Sequence, residues 1–195
     1  MRGLLITFEG PEGSGKSTQV DLLRDRLSAV YLREPGSTPL GEQVRDLLLH
    51  GQDIVPEAEL YLFLAARAEL VATRVKPAMS RGEDVVIDRY HDSTLAYQGA
   101  RGLSTGWPES FPRPDLTVLL DLEPQLGASR LGGRARDRIE SAPSDFHLRV
   151  RQEYLRLAQA DAGRWLVLDA TRPASELALA IWVELGQARV RLGRD

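Results

Sequence analysis

The chain of 195 residues has no cysteine, which excludes disulfides, thiolate metal sites and cysteine nucleophiles. Asparagine is also missing, and with it the Asn-Lys-x-Asp element by which guanine-specific switches read their base. Lysine is reduced to Lys16 and Lys76, the other 23 of the 25 basic residues being arginine. There is no basic excess: the formal charge of −3 gives no general attraction to nucleic acid, so an anion site must come from local clusters. No apolar run approaches the roughly 20 residues that span a bilayer. Met1 is followed at once by what reads as a core strand, so no amino-terminal signal peptide is expected. The resulting expectation is a soluble cytoplasmic protein without nucleic-acid or membrane partners.

What remains is 43% hydrophobic and long enough for one sizeable core, and no shift in composition marks a linker, so residues 1–195 read as a single domain. Short apolar runs at 4–8, 30–33, 84–88, 116–121 and 165–168 lack polar alternation, as do strands covered on both faces. Helical patterns fall between and after them, at about 15–28, 39–49, 56–80, 92–99, 124–131, 144–161 and 174–190. Pro77 is expected to kink or interrupt the longest of these. Alternation of this kind predicts an α/β fold: a five-stranded parallel sheet with helices on both faces. Residues 132–143, GGRARDRIESAP, open on two glycines and hold several arginines among few apolar residues, so they read as a mobile lid.

The first strand runs into FEGPEGSGKST. Gly10, Pro11, Glu12, Gly13, Ser14, Gly15, Lys16 and Ser17 match G-x-x-x-x-G-K-[ST] between a strand and a helical pattern, the context that defines a P-loop NTPase fold. Glycines let consecutive amides turn inward around an anion, and the helix start, with Thr18 in its first turn, adds partial positive charge. Lys16 would reach the outer phosphates and Ser17 would ligate Mg2+. The motif by itself defines a nucleoside triphosphate site and leaves switches, motors and transferases open. Asp121, ending the fourth strand, is the carboxylate that a water-activating ATPase would use.

A phosphotransferase needs a second pocket, cations between facing phosphates and a lid against water. Asp88 and Arg89 end the third strand, where ligands gather in parallel sheets; they suit a metal ion and a phosphate, or else form a simple strand-end ion pair. Phe63 and Arg67 share one helical face, as a base-stacking ring beside a donor or as a core ring beside a snorkelling arginine. Arg130, Arg134, Arg136 and Arg138 crowd one short stretch that runs into the lid.

Taken in order and spacing, FEGPEGSGKSTQ, REPGSTPLGEQVRDLLL, LFLAAR, IDRYHDSTLAYQGARG, LDLEP and RARDRIE resemble the thymidylate kinase family over nearly the whole chain. The resemblance implies ATP-dependent phosphorylation of dTMP to dTDP on the route to dTTP, with Mg2+ held by Ser17 and Asp88. It implies that Phe63 stacks on thymine, that Arg67 donates to the base edge, and that Arg45 and Arg89 grip the acceptor phosphate. Glu12 would face the deoxyribose 3'-hydroxyl region. Glu34, Pro35, Ser93, Thr94, Tyr97 and Gln98 would line the acceptor pocket, Tyr97 filtering against ribonucleotides. Some members carry an arginine where Gly13 stands here, so the resemblance implies the bacterial pattern in which lid arginines, here Arg134 and Arg138, join Lys16 and Arg89 in catalysis. A homodimer is implied as well. The alternatives are another nucleoside monophosphate or deoxynucleoside kinase, and a nucleotide-dependent switch.

Overall fold

The computed structural model describes residues 1–132 and 137–193. Five parallel strands form one sheet: β1 (Leu5–Glu9), β2 (Val30–Arg33), β3 (Val85–Asp88), β4 (Leu116–Asp121) and β5 (Trp165–Asp169), in the order β2-β3-β1-β4-β5. Each falls within a residue of its expected bounds. Helices follow as α1 (Lys16–Arg24), α2 (Pro39–His50), α3 (Pro56–Leu70), α4 (Lys76–Ser80), α5 (His91–Gly99), α6 (Pro124–Leu131), α7 (Ser144–Ala160) and α8 (Ala174–Arg191).

Successive side chains of a strand point to opposite faces, and both faces here are covered. Ile6, Phe8, Val118 and Leu120 pack with Val20 and Leu23 of α1 and with Leu177, Ile181 and Leu185 of α8. Leu5, Val85 and Ile87 point the other way, onto Leu70, Val75 and Met79. Farther along that second face Leu119 meets Ala96 of α5 and Val150 and Tyr154 of α7. The expected architecture, a parallel sheet between two helical layers, is the one observed.

Two helices differ from expectation. The α1 helix stops at Arg24 instead of running to 28. Between α3 and α4 the backbone does not break at Pro77. It passes through a π turn, Val71–Val75, and resumes with Pro77 in the first turn of α4. Proline lacks the N–H that an α-helix needs in its interior, and the wider turn moves it to a place where that donor is not required.

The strand order reverses at β1, flanked by β3 and β4, and the loops leaving the carboxyl ends of the strands meet above that point. Register brings the ends level: Phe8 pairs with Asp88, and Asp88 with Arg33. The phosphate loop, the Asp88-Arg89 turn and the Glu34-Pro35 segment, whose peptide bond is cis, therefore open onto one crevice.

Candidate active site

A cavity of about 500 Å³ occupies that crevice. On one wall it is lined by Glu12, Gly13, Gly15, Lys16, Ser17 and Thr18. Gly15 is left-handed, with φ of 92°, and caps α1 without a side-chain acceptor, so the first amides of α1 depend on a ligand or solvent for partners. Lys16 is buried, and its Nζ donates to the carbonyls of Gly10 at 3.1 Å and Pro11 at 2.9 Å. Burial and then the Arg89 cation lower the lysine's pKa, while Glu12, Asp88 and Glu9 oppose that fall. Ser14 lies buried beneath the loop, its hydroxyl without a protein partner among the described residues. Gly13 has φ of 71°, and a Cβ there would come within 2.4 Å of the Gly127 carbonyl oxygen of α6. The loop is thus packed against α6 at Gly13.

The opposite wall brings together Glu34, Pro35, Arg45, Phe63, Arg67, Ser93, Thr94, Tyr97 and Gln98. Phe63 and Arg67 do share a face of α3, but Arg67 is no snorkelling side chain: it is 1% exposed. Its guanidinium donates to Glu34 at 2.7 Å, to the Thr94 hydroxyl at 2.8 Å and to the Tyr90 carbonyl at 3.1 Å. It also meets His91 Nδ1 at 3.2 Å. Arginine only donates and the Gly106 carbonyl only accepts, so His91 must be the tautomer with its proton on Nε2, which lies 3.0 Å from that carbonyl. Burial, reinforced by Arg67, pushes His91 down to about 3 and keeps it neutral. Gln98 donates its Nε2 to Glu59 at 3.0 Å. A carboxylate next to that end fixes the amide's orientation, and Gln98 Oε1 has no protein partner among the described residues. Arg45 donates to the Pro35 carbonyl at 3.1 Å.

Between the walls stand Asp88, Arg89 and Glu12. The Ser17 hydroxyl donates to Asp88 Oδ2 at 3.0 Å, which places two hard oxygen ligands at the mouth of the phosphate loop. Arg89 pairs with Glu12 Oε1 and lies 5.3 Å from the Tyr97 ring centroid. Burial opposes the charge of Glu12, but the Arg89 and Lys16 cations hold its carboxyl down at about 2, so it is ionised at neutral pH.

The lid arginines separate. Arg134 and Arg136 lie outside the described residues. Arg138 donates Nε to the Leu48 carbonyl at 3.0 Å and Nη2 to Glu59. Arg130 reaches the phosphate loop, with Nη2 on the Ala170 carbonyl at 2.9 Å and Nη1 3.5 Å from the Gly13 carbonyl. Asp121 gives both oxygens to Arg151, at 2.7 and 2.9 Å, the geometry of a structural ion pair. Sequence reasoning passed over Arg33, Leu49, Asp137 and Ile139, which also line the cavity. Arg33 stands inside REPG and Ile139 inside RARDRIE, motifs already noted for their neighbours.

A triphosphate cradle facing a pocket with an aromatic ring and two arginines has room for a donor and an acceptor, and that pairing places the molecule among the P-loop phosphotransferases. The chain matches the family model described as thymidylate kinase over residues 8–181. It is 49% identical to the thymidylate kinase of Deinococcus radiodurans, across 95% of this chain and 98% of that one. Against the thymidylate kinase of Thermomicrobium roseum identity is 48%, across 95% and 96% of the two chains, and against that of Cupriavidus metallidurans 44%, across 93% and 96%. The chain belongs to the thymidylate kinase family.

Proposed function

We propose that this protein transfers the terminal phosphoryl group of ATP to dTMP, giving dTDP and ADP. The observation that carries the reading is the single cavity with a phosphate loop on one wall, the Phe63 and Arg67 pocket on the other, and Arg89 between them.

ATP binds with its phosphates in the loop of Gly10 to Gly15 and on the first turn of α1, where Lys16, Ser17 and Thr18 stand. Lys16 leaves the Gly10 and Pro11 carbonyls to meet the outer phosphates. Ser17 and Asp88 fit Mg2+, a small cation that prefers oxygen ligands and keeps several waters. Among the described residues no cluster of three or more His, Asp or Glu could hold a metal alone, so the nucleotide's own oxygens complete such a site. When bound, the ion neutralises charge on the phosphates being separated.

In the acceptor pocket, Phe63 stacks on thymine. The unpartnered carbonyl of Gln98 suits an N–H on the base edge. Each donor group of Arg67 already has a protein partner, so donation to the base requires a shared or released bond. Arg45 and Arg89 take the acceptor phosphate, Glu12 faces the sugar, and Tyr97 packs where a ribose 2'-hydroxyl would sit. The acceptor is an anion already, so the residues have little proton removal to do. They align an acceptor oxygen with the terminal phosphorus and spread the developing charge over Lys16, Arg89 and the arginines of the lid side, Arg130 and Arg134. Arg138, held by Glu59, acts at the lid's base. The whole chain, 1–195, works as one catalytic domain with its lid about 132–143.

A homodimer fits the exposed apolar residues Leu40, Leu47, Val55 and Tyr61 on and beside α2 and α3. Among the described residues no helix is long and apolar enough to cross a membrane, which accords with a cytoplasmic setting.

A coupled ADP-release assay over a panel of nucleosides and monophosphates tests the acceptor. dTMP is expected to exceed UMP, CMP, AMP and thymidine by at least tenfold in kcat/KM. Equal or greater activity with another acceptor would overturn the choice, and ADP release indifferent to every acceptor would point to the switch.

A further inference from the structure

Glu9 closes β1 one residue before the phosphate loop, is fully buried, and has no part in the reading above. Its two oxygens serve different ends of one turn. Oε1 accepts from the Tyr90 amide at 2.8 Å. Oε2 lies 2.5 Å from the Ser93 hydroxyl and 3.1 Å from the Tyr154 hydroxyl, and those two hydroxyls lie 2.7 Å apart. Arg89 Nη1 donates to both hydroxyls, at 3.3 Å each. The guanidinium therefore rests on a two-hydroxyl shelf supported from below by Glu9.

The backbone is held by the same carboxyl group. Arg89 has φ of 68°, a left-handed conformation shared only with Ser37 among the described residues other than glycine. Such a conformation is strained for a residue with a side chain and persists where the surroundings over-determine it. Here β1 grips two successive amides: Arg89 N–H bonds the Phe8 carbonyl at 2.9 Å, and Tyr90 N–H bonds Glu9.

We infer that Glu9 is a positioning residue for Arg89, fixing the turn that aims its side chain into the cavity and supporting the hydroxyls on which the guanidinium lies. The inference rests on the role proposed above for Arg89 in phosphoryl transfer. Burial and then Asp92 push the Glu9 carboxyl up to about 8, against Ser93, Arg89 and the Tyr90 amide. The other ionisable groups around it are Tyr154 of α7, Tyr97 of α5, and Lys16 on the phosphate-loop side. Glu12 faces the same Arg89 from the loop. Oε1 faces an N–H donor and both hydroxyls donate to Oε2, so a proton taken up by Glu9 sits on Oε2 and turns one of the two hydroxyls from donor to acceptor. Below pH 8 Glu9 thus supports the shelf without adding a second anion beside Arg89, whose charge remains available to phosphate.

The test compares Glu9→Gln and Glu9→Ala with the unaltered protein. Gln keeps a carbonyl for Tyr90 and a neutral donor for the hydroxyls. It is expected to hold kcat within threefold at pH 7 and to lack the fall in kcat above pH 8 that is expected of the unaltered protein. Ala is expected to lower kcat at least a hundredfold and to raise the KM for dTMP, of whose phosphate Arg89 is a proposed ligand, while moving the KM for ATP less than threefold. Hydrogen exchange at the Tyr90 amide, which needs no acceptor, is expected to speed up at least tenfold in Ala and to stay slow in Gln. An Ala variant within threefold of normal kcat, or a Gln variant that retains the alkaline fall, would overturn the inference. If Ala does not fold, the Gln profile decides. Inactivity of the unaltered protein toward dTMP would count against the acceptor reading, and the Tyr90 exchange would still decide the position of Glu9.

Discussion

Arg89 stands where the donor and acceptor walls meet, paired with Glu12 of the phosphate loop and resting on Ser93 and Tyr154. Replacing it by alanine removes the guanidinium that stands between the two walls of the cavity. A charge-spreading arginine is worth about 10³ to 10⁵ in rate. Arg89→Ala is expected to lower kcat by at least a thousandfold with the fold retained, as read by steady-state kinetics beside circular dichroism; near-normal turnover would remove Arg89 from the reaction. The residue could be found in the sequence because an Asp-Arg pair at a strand end is a recognisable pattern. Glu9 could not, since an acidic residue before a glycine-rich loop has no signature of its own. Its partner Tyr154 lies 145 positions away, and only the fold brings the two together. Arg67 was half legible: spacing placed it beside Phe63, but its burial on Glu34, Thr94 and Tyr90 depends on two other segments.

Elements were legible where a period or a turn residue marks them, and less so at helix ends, where tertiary contacts choose the last turn. The early end of α1 and the π turn before Pro77 are of this kind. The stretch around Arg138 is another, because nothing in RARDRIE distinguishes an arginine that would meet a nucleotide from one that anchors the segment. Buried Glu59 of α3 supplies that anchor, accepting from Gln98 of α5 at 3.0 Å and from Arg138, and pairing with Arg101 at 3.1 Å. Glu59→Ala would leave two guanidinium groups and an amide facing a buried gap. Both arginines keep some solvent access, so the loss should fall below the ~3–5 kcal/mol of a fully buried pair, at about 2–3 kcal/mol. Urea unfolding at neutral pH measures it, and KM for dTMP should rise in parallel as Gln98 loses its orienting partner. A change under about 0.5 kcal/mol with KM unmoved would show that Glu59 anchors neither the lid base nor the acceptor pocket.

At the scale of the molecule, the order β2-β3-β1-β4-β5 converts separate motifs into one cavity. The phosphate loop follows β1, REPG follows β2, and the Asp88-Arg89 turn follows β3; parallel pairing delivers all three to the same edge. Strand alternation in the sequence was enough to anticipate the sheet, and the motifs were enough to anticipate many of the residues that line its cavity. How donor and acceptor face each other required the register. That arrangement makes a two-substrate transferase, and it is distinguished from a nucleotide hydrolase by where the phosphate goes. ATP labelled in its terminal phosphate, incubated with the protein, Mg2+ and dTMP, follows that phosphate directly. The label is expected in dTDP, with little released as inorganic phosphate, and its transfer should stop when dTMP is omitted. Label released as inorganic phosphate at the same rate with or without dTMP would contradict the central claim that this cavity carries phosphate from one nucleotide to the other.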